Sequence, residues 1–106
     1  MCGVAGYYCR KGIDQDVLNN MNKLLSHRGP DANDTWKDDN LGLAHTRLSI
    51  LDLSKNGRQP MESSSGRYII IFNGEIYNHL DLRKSIHVKW RGHSDTETLL
   101  ERIESY

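Results

Sequence analysis

The sequence predicts a small α+β domain of antiparallel strands with two to three helices, and three segments carry that prediction. Apolar residues in 14–27 recur at i, i+1, i+4, i+7 and i+8, which is one face of an amphipathic helix. Residues 68–72 form an uninterrupted apolar run, typical of a strand that is covered on both faces. Ser94-Asp95-Thr96-Glu97 has the pattern of a capping box at the start of another helix.

Weaker signals complete the order of elements. They predict a strand over residues 4–9, a polar loop before residue 41, extended chain over 41–51, a short helix from 78 through 86, and a brief strand over 88–91. The apolar alternation changes phase within residues 41–51. That change predicts a bend or bulge around residues 45–47.

Length and composition limit the classes of protein. A chain of 106 residues is one small domain or part of a larger one. Fourteen basic and fourteen acidic residues cancel without a basic stripe, which argues against a nucleic-acid partner. The sequence has neither a membrane-length apolar run nor a signal peptide, so we expect a cytoplasmic protein without a membrane partner. The two cysteines are too few for a disulfide framework and lack zinc-site spacing, so we expect no metal.

Cys2 is the first candidate for chemistry because it directly follows Met1. Removal of Met1 would place a thiol and an α-amine on one residue. An α-amine titrates near pH ~8, so it could act as a neutral general base for its own side chain. The alternative is an ordinary buried cysteine.

Four further groups each have a functional and an ordinary interpretation. Arg47 lies beside the predicted bulge and is otherwise a solvated or salt-bridged arginine. Asn73-Gly74 is a strong signal for a type I′ hairpin, or else a pair of donors for an oxyanion. Asp95 suits the first turn of a helix, or binds a ligand. The segment 27–31, His-Arg-Gly-Pro-Asp, ends a helix or orders an active site.

These residues together match the needs of one substrate, a free amino acid with a side-chain amide. Its α-carboxylate requires a guanidinium such as Arg47, and its ammonium a carboxylate such as Glu75 or Asp95. Its amide carbon requires a nucleophile such as Cys2, and the tetrahedral oxyanion requires two donors. Asn73 with Gly74 could supply them, each worth roughly 3 kcal/mol of barrier.

Six motifs in order carry a family resemblance. They are Met1-Cys2-Gly3-Val4-Ala5-Gly6, His27-Arg28-Gly29-Pro30-Asp31, residues 44–52 (Ala-His-Thr-Arg-Leu-Ser-Ile-Leu-Asp), Gln59-Pro60, residues 72–79 (Phe-Asn-Gly-Glu-Ile-Tyr-Asn-His) and Ser94-Asp95-Thr96-Glu97. The sequence resembles the N-terminal glutaminase domain of glutamine-hydrolysing asparagine synthetase. That domain is a class II glutamine amidotransferase of the N-terminal-nucleophile (Ntn) hydrolase superfamily. The forms of residues 47–52 and 73–78, with Phe at 72, favour the asparagine synthetase branch.

The resemblance implies a role for each matching residue. Cys2 would be the nucleophile after Met1 is removed, with Asn73 and Gly74 forming the oxyanion hole. Substrate-binding positions would be Arg47, Leu48, Ile50, Leu51, Glu75 and Asp95. The implied fold is a four-layer αββα sandwich, of which residues 1–106 correspond to about the first half.

The resemblance also implies partners. Ammonia would pass to a C-terminal synthetase domain, or a separate synthetase subunit, that uses ATP and Mg²⁺, and we expect no cofactor in this segment. Two alternatives remain open: a non-catalytic fragment that acts in binding or assembly, and an amidotransferase with a sugar-carboxylate acceptor. Because the 68–72 strand would lack its partner sheet, we also expect a homodimer that covers the apolar face.

Overall fold

The computed structural model describes residues 2–48 and 55–106. Its strands are β1 (Gly3–Tyr8), β2 (Ala32–Lys37), β3 (Leu41–Arg47), β4 (Met61–Glu62) and β5 (Ile69–Ile70). Its α-helices are α1 (Gln15–Leu25), α2 (His79–Arg83) and α3 (Asp95–Glu104), and a 3-10 turn spans Lys55–Gly57. Both sheets are antiparallel, in the orders β1-β3-β2 and β4-β5, so the predicted α+β class is confirmed.

Helix α1 covers one face of the three-stranded sheet. Leu18 is fully buried there, against Gly42 of β3. A Cβ atom at Gly42 would lie 2.8 Å from Leu18 Cδ2, so a side chain at that position would force the Leu18 side chain to shift. The Asp14 side chain caps α1 by accepting from the Asp16 amide at 2.8 Å. The predicted helix is confirmed, but Leu24 of its apolar face is 77% exposed.

Strand β2 lies in the segment predicted as a polar loop, so that part of the prediction is wrong. Its residues, Ala-Asn-Asp-Thr-Trp-Lys, carry little apolar signal. At the edge of the sheet, β2 pairs along its length with β3 and needs little apolar surface of its own. Pairing, rather than burial, makes this segment a strand.

Strand β3 runs without the predicted bulge. It keeps one register with β1 from Gly3↔Thr46 to Tyr8↔Leu41, and one register with β2. The prediction of a bulge at residues 45–47 is therefore wrong. The strand ends at Arg47, so the change of phase in the apolar pattern follows the end of regular pairing. Residues 49–54, including the rest of that pattern, lie outside the described part of the chain.

The apolar run at 68–72 forms less strand than its composition predicts. Only Ile69–Ile70 pairs, with Met61–Glu62, and the run is half-buried rather than covered on both faces. The turn of this hairpin uses Gly66 at φ +77°, and its amide donates to the Ser63 carbonyl at 2.9 Å. In the described residues positive φ occurs only at Gly12 and Gly66. The prediction of a type I′ turn at Asn73-Gly74 is therefore wrong, because such a turn requires positive φ at both residues.

The C-terminal part is organised around α3. Ser94 caps this helix as predicted, with its Oγ accepting from the Glu97 amide at 3.2 Å. The buried Glu97 carboxylate accepts from the amides of Arg91 at 2.9 Å and Gly92 at 3.0 Å. These side-chain bonds take the place of strand pairing at Arg91 and Gly92. Residues 88–91 form no strand, so the strand predicted there is wrong. Helix α2 begins after Asn78 and ends earlier than predicted.

No helix among the described residues is long and apolar enough to cross a membrane.

Candidate active site

One cleft of about 410 Å³ gathers most of the predicted site residues. Its lining includes the predicted residues Cys2, Arg47, Leu48, Asn73, Gly74, Glu75 and Asp95. It also includes residues that were not predicted to belong to a site, namely Gly57, Gln59, Phe72, Tyr77, Ser94 and Thr96. Met1, Ile50 and Leu51 lie outside the described residues. The structure thus brings together predicted site residues that are up to 93 residues apart in sequence, from Cys2 to Asp95.

Cys2 lies at the wall of this cleft, next to the end of β3. Its sulfur accepts from the Leu48 amide at 3.4 Å and donates to the Leu48 carbonyl at 3.7 Å. The following residue, Gly3, pairs with Thr46. A Cβ atom at Gly3 would lie 2.7 Å from Thr46 Oγ1, so only glycine fits between β3 and α1 here. The start of β1 therefore holds the thiol in place.

Arg47 is the last residue of β3 and is buried. The chain at Gly29–Asp31 packs on its backbone: Pro30 forms a bridge with Arg47, and the Asp31 amide donates to the Arg47 carbonyl at 2.9 Å. A Cβ atom at Gly29 would lie 2.5 Å from the Arg47 nitrogen. The 27–31 motif therefore follows the end of α1 and packs on the backbone of Arg47 beside the cleft. Its role in ordering an active site stays a prediction.

The segment 73–75 is an exposed part of the cleft wall that is fixed from both ends. After it, the Ile76 amide donates to Asp95 Oδ2 at 2.8 Å. Before it, the Phe72 ring lies against Gly74, where a Cβ atom would be 2.8 Å from the ring. Gly74 is therefore needed for this close approach. Phe72 is also one of the residues that favoured the asparagine synthetase branch in the family resemblance.

Asp95 is buried in the first turn of α3. Its carboxylate holds the Ile76 amide, so part of its function is to attach the 73–75 segment to this helix. Ser94, which caps the same helix, also lines the cleft. The predicted contact of Asp95 with a substrate ammonium group stays a prediction.

Glu75 lies exposed beside Tyr77, whose side chain is 92% exposed. A hydrogen bond to the Glu75 carboxylate raises the pKa of Tyr77, and the negative charge of Glu75 acts in the same direction. Both side chains border the cleft. The Glu75 carboxylate therefore has a neighbour that sequence reasoning missed.

His45 is fully buried in β3, and its Nε2 lies 3.4 Å from the Phe72 carbonyl oxygen. Burial lowers the pKa of His45; the Phe72 carbonyl opposes this shift, and the positive charge of Arg47 adds to it. The imidazole is therefore neutral at pH 7, and Nε2–H is the tautomer that suits a carbonyl acceptor. Its Nδ1 has no hydrogen-bond partner in the described part of the chain.

The described residues contain no candidate metal site. Across residues 2–48 and 55–106, no group of three or more His, Cys, Asp or Glu side chains could hold an ion. The expectation of a metal-free segment stays a prediction.

Comparison with known proteins identifies the class of this chain. Residues 1–106 match the glutamine amidotransferase domain family, and the chain belongs to that family. The Ntn-hydrolase identity of the fold is inferred from the family. The α+β arrangement of three helices and antiparallel sheets is consistent with it.

Named relatives include asparagine synthetases. The chain is 38% identical to asparagine synthetase [glutamine-hydrolyzing] 1 of Bacillus subtilis, matching 100% of this chain and 18% of the relative. It is 39% identical to asparagine synthetase B [glutamine-hydrolyzing] of Escherichia coli, over 94% of this chain and 19% of the relative. A third relative, Amidase chry2 of Gibberella zeae, is 34% identical over 100% of this chain and 18% of its own length. The chain thus spans less than a fifth of the length of these relatives.

Proposed function

We propose that this chain hydrolyses glutamine to glutamate and ammonia, with Cys2 as the nucleophile after Met1 is removed. The observation that carries the proposal is the cleft itself. It places a cysteine thiol, a buried arginine, two carboxylates and the Asn73-Gly74 pair around one space of about 410 Å³. Membership of the glutamine amidotransferase domain family supports the same reaction.

The reaction would proceed in two halves through a thioester. The α-amine of Cys2 takes the thiol proton, and the sulfur adds to the δ-carbonyl carbon of glutamine. The Asn73 side-chain amide and the Gly74 N–H donate to the resulting oxyanion. Collapse breaks the carbon–nitrogen bond, and the proton held by the amine leaves with ammonia. Water then attacks the thioester, which releases glutamate and restores the thiol.

The remaining cleft residues would bind the amino-acid end of glutamine. Arg47 would pair with the α-carboxylate, and Leu48, Ile50 and Leu51 would line that end of the pocket. Glu75 and Asp95 would accept from the α-ammonium group. Asp95 would do this while it holds Ile76, because a carboxylate can accept several hydrogen bonds at once.

We further propose that the ammonia is used by an asparagine synthetase-type ligase. The names of the Bacillus subtilis and Escherichia coli relatives support this. ATP and Mg²⁺ would bind to a synthetase domain or a separate synthetase subunit, and not to residues 1–106. We propose a cytoplasmic location for such a biosynthetic enzyme.

A second candidate function keeps glutamine hydrolysis and changes the acceptor, for example to a sugar carboxylate. One observation supports this second candidate: a relative that matches a similar share of this chain is named an amidase rather than an asparagine synthetase. A segment similar to this chain therefore occurs in proteins with differing names, and the acceptor would be selected elsewhere.

The experiment that tests the nucleophile is the intact mass of the chain after incubation with a diazoketone analogue of glutamine. We expect loss of Met1 and one covalent adduct. Cys2→Ala should abolish labelling and Cys9→Ala should not; both cysteines are partly buried, so Cys9 is a matched control. A retained Met1, or an unlabelled Cys2, contradicts the mechanism and favours a non-catalytic binding role.

The predicted homodimer is tested separately, and a strictly monomeric solution mass contradicts it.

A further inference from the structure

We propose that Gln59 is a positioning residue that holds the oxyanion-binding segment 73–74 in its active geometry. This inference rests on the proposed glutaminase function, because that function is what makes residues 73–74 an oxyanion-binding segment. Gln59 itself is not needed for any step of the reaction written above. It lines the cleft, yet its amide is directed at the protein rather than at the space.

Both ends of the Gln59 amide are used. Its Oε1 accepts from the Phe72 amide at 2.6 Å, and its Nε2 donates to Thr96 Oγ1 at 3.1 Å. These partners determine which end of the amide is oxygen, because a backbone N–H only donates. Gln59 is 7% exposed and Thr96 is 4% exposed, so water cannot readily replace either bond. The side chain therefore connects the first turn of α3 to the residue before Asn73.

The Phe72 backbone is held on both sides. Gln59 binds its N–H, and the buried His45 lies 3.4 Å from its carbonyl oxygen. The Phe72 ring in turn lies against Gly74. With the Phe72 backbone and ring both fixed, the peptide that leads into Asn73 has little freedom. Strand pairing cannot supply this order, since β5 ends at Ile70.

The same helix fixes the other end of the segment. Asp95, next to Thr96 in the first turn of α3, accepts from the Ile76 amide at 2.8 Å. Residues 73–75 are thus suspended between two bonds that lead to adjacent residues of one helix. Sites that act through preorganised donors depend on such supporting contacts. Loss of the Gln59 bond should release only the Phe72 end.

The test compares three variants by kinetics and amide exchange. Gln59→Met keeps the side-chain length and removes both bonds. Gln59→Glu keeps an acceptor for the Phe72 N–H, and the Thr96 hydroxyl can turn to donate to it. Gln15→Met is the matched control, because Gln15 is the other glutamine of the chain and makes side-chain bonds to Asn19 and Thr35 outside the cleft.

For Gln59→Met we expect kcat and the maximal rate of Cys2 labelling by the diazoketone to fall by roughly 10- to 100-fold, as for a misplaced catalytic group. KM should change by about 2-fold or less, since glutamine is bound by other residues. Gln59→Glu should recover most of the rate, and Gln15→Met should keep the wild-type rate. The Phe72 amide should exchange with solvent at least about 10-fold faster in Gln59→Met alone, because its acceptor is gone.

Three results overturn the inference: an unchanged Phe72 exchange rate in Gln59→Met, an unchanged kcat, or a rise in KM alone, which would make Gln59 a substrate contact. If Gln59→Met does not fold, Thr96→Val replaces it. That variant removes only the link to α3, and unchanged labelling there counts against the proposal. Failure of the proposed function looks different, because the wild-type chain would then resist labelling. Phe72 exchange would still show whether Gln59 holds the segment.

Discussion

The backbone amide of Ile76 donates to Asp95 Oδ2 at 2.8 Å, so the residue proposed to bind the substrate ammonium also anchors the cleft wall. Two substitutions separate these functions. Asp95→Asn keeps an acceptor for Ile76 and removes the charge, so we expect a higher KM for glutamine with little loss of stability. Asp95→Ala leaves the partly buried Ile76 amide unpaired, and should also lower the free energy of unfolding by about 1–3 kcal/mol.

Urea denaturation and glutamine kinetics of both variants check this prediction. Equal KM values for the wild type and Asp95→Asn would limit Asp95 to its structural function.

Gly29 makes the position of Arg47 sensitive to a single methyl group. In Gly29→Ala the new Cβ would meet the Arg47 nitrogen and the Thr46 carbonyl carbon, both at 2.5 Å, and backbone atoms cannot rotate away. We expect a loss of stability of about 1–3 kcal/mol from overpacking, together with a raised KM as Arg47 moves.

Gly12→Ala is the control for a destabilised glycine variant, because Gly12 has φ +109° and lies away from the cleft. It should lose stability without a change in KM. A normal KM in Gly29→Ala would show that the 27–31 motif does not position Arg47.

Stability should depend on pH through His45. Burial lowers the pKa of His45 in the folded state from its ordinary 6.5, so below pH 6.5 the unfolded chain binds a proton that the folded chain does not. The stabilisation that the neutral, buried His45 imidazole provides is therefore fully present above about pH 6.5. It is lost as the pH falls toward the lowered value, at up to about 1.4 kcal/mol per pH unit.

Urea denaturation at pH 7.5 and 5.5 measures this effect. His45→Gln should lose the corresponding part of the pH dependence, while His87→Gln, at an exposed position, is the control. Parallel pH profiles for the wild type and His45→Gln would refute the assignment.

Arg83 connects α2 to the start of α3 through its whole guanidinium. It donates to Thr98 Oγ1 at 2.7 Å and to the carbonyls of Gly92 and Ser94, both at 2.8 Å, and it stacks at 4.0 Å on Trp90. A lysine cannot reproduce this fork, so we expect Arg83→Lys to lower the free energy of unfolding by about 2–4 kcal/mol.

The neighbouring Lys84 provides the comparison. Its ion pair with Asp81 spans 3.2 Å, but the side chains are 79% and 75% exposed. Lys84→Ala should therefore change stability by less than about 0.5 kcal/mol. Similar losses for both variants in thermal or urea denaturation would contradict the prediction.

Elements with a local signal in the sequence were predictable, including the strands β1 and β3, but the polar strand β2 was not. The helical periodicity of α1 and the Ser94 cap of α3 are properties of a few adjacent residues, and both are confirmed. Strand β2 is polar and exists because β3 lies beside it. Asn73-Gly74 has the composition of a hairpin turn, but contacts with Phe72 and α3 decide its conformation.

The sequence by itself determined which chemical groups this protein has, because each role in amide hydrolysis requires a particular residue type. Cys2, Arg47, Asn73, Gly74 and Asp95 could all be selected on that basis. The tertiary structure alone decided that they share a cleft and what supports them. Gln59 shows the reason: its amide acts through Phe72, 13 residues away, and Thr96, 37 residues away. No property of a glutamine in sequence predicts partners at those distances, since only the packed fold brings them within hydrogen-bonding range.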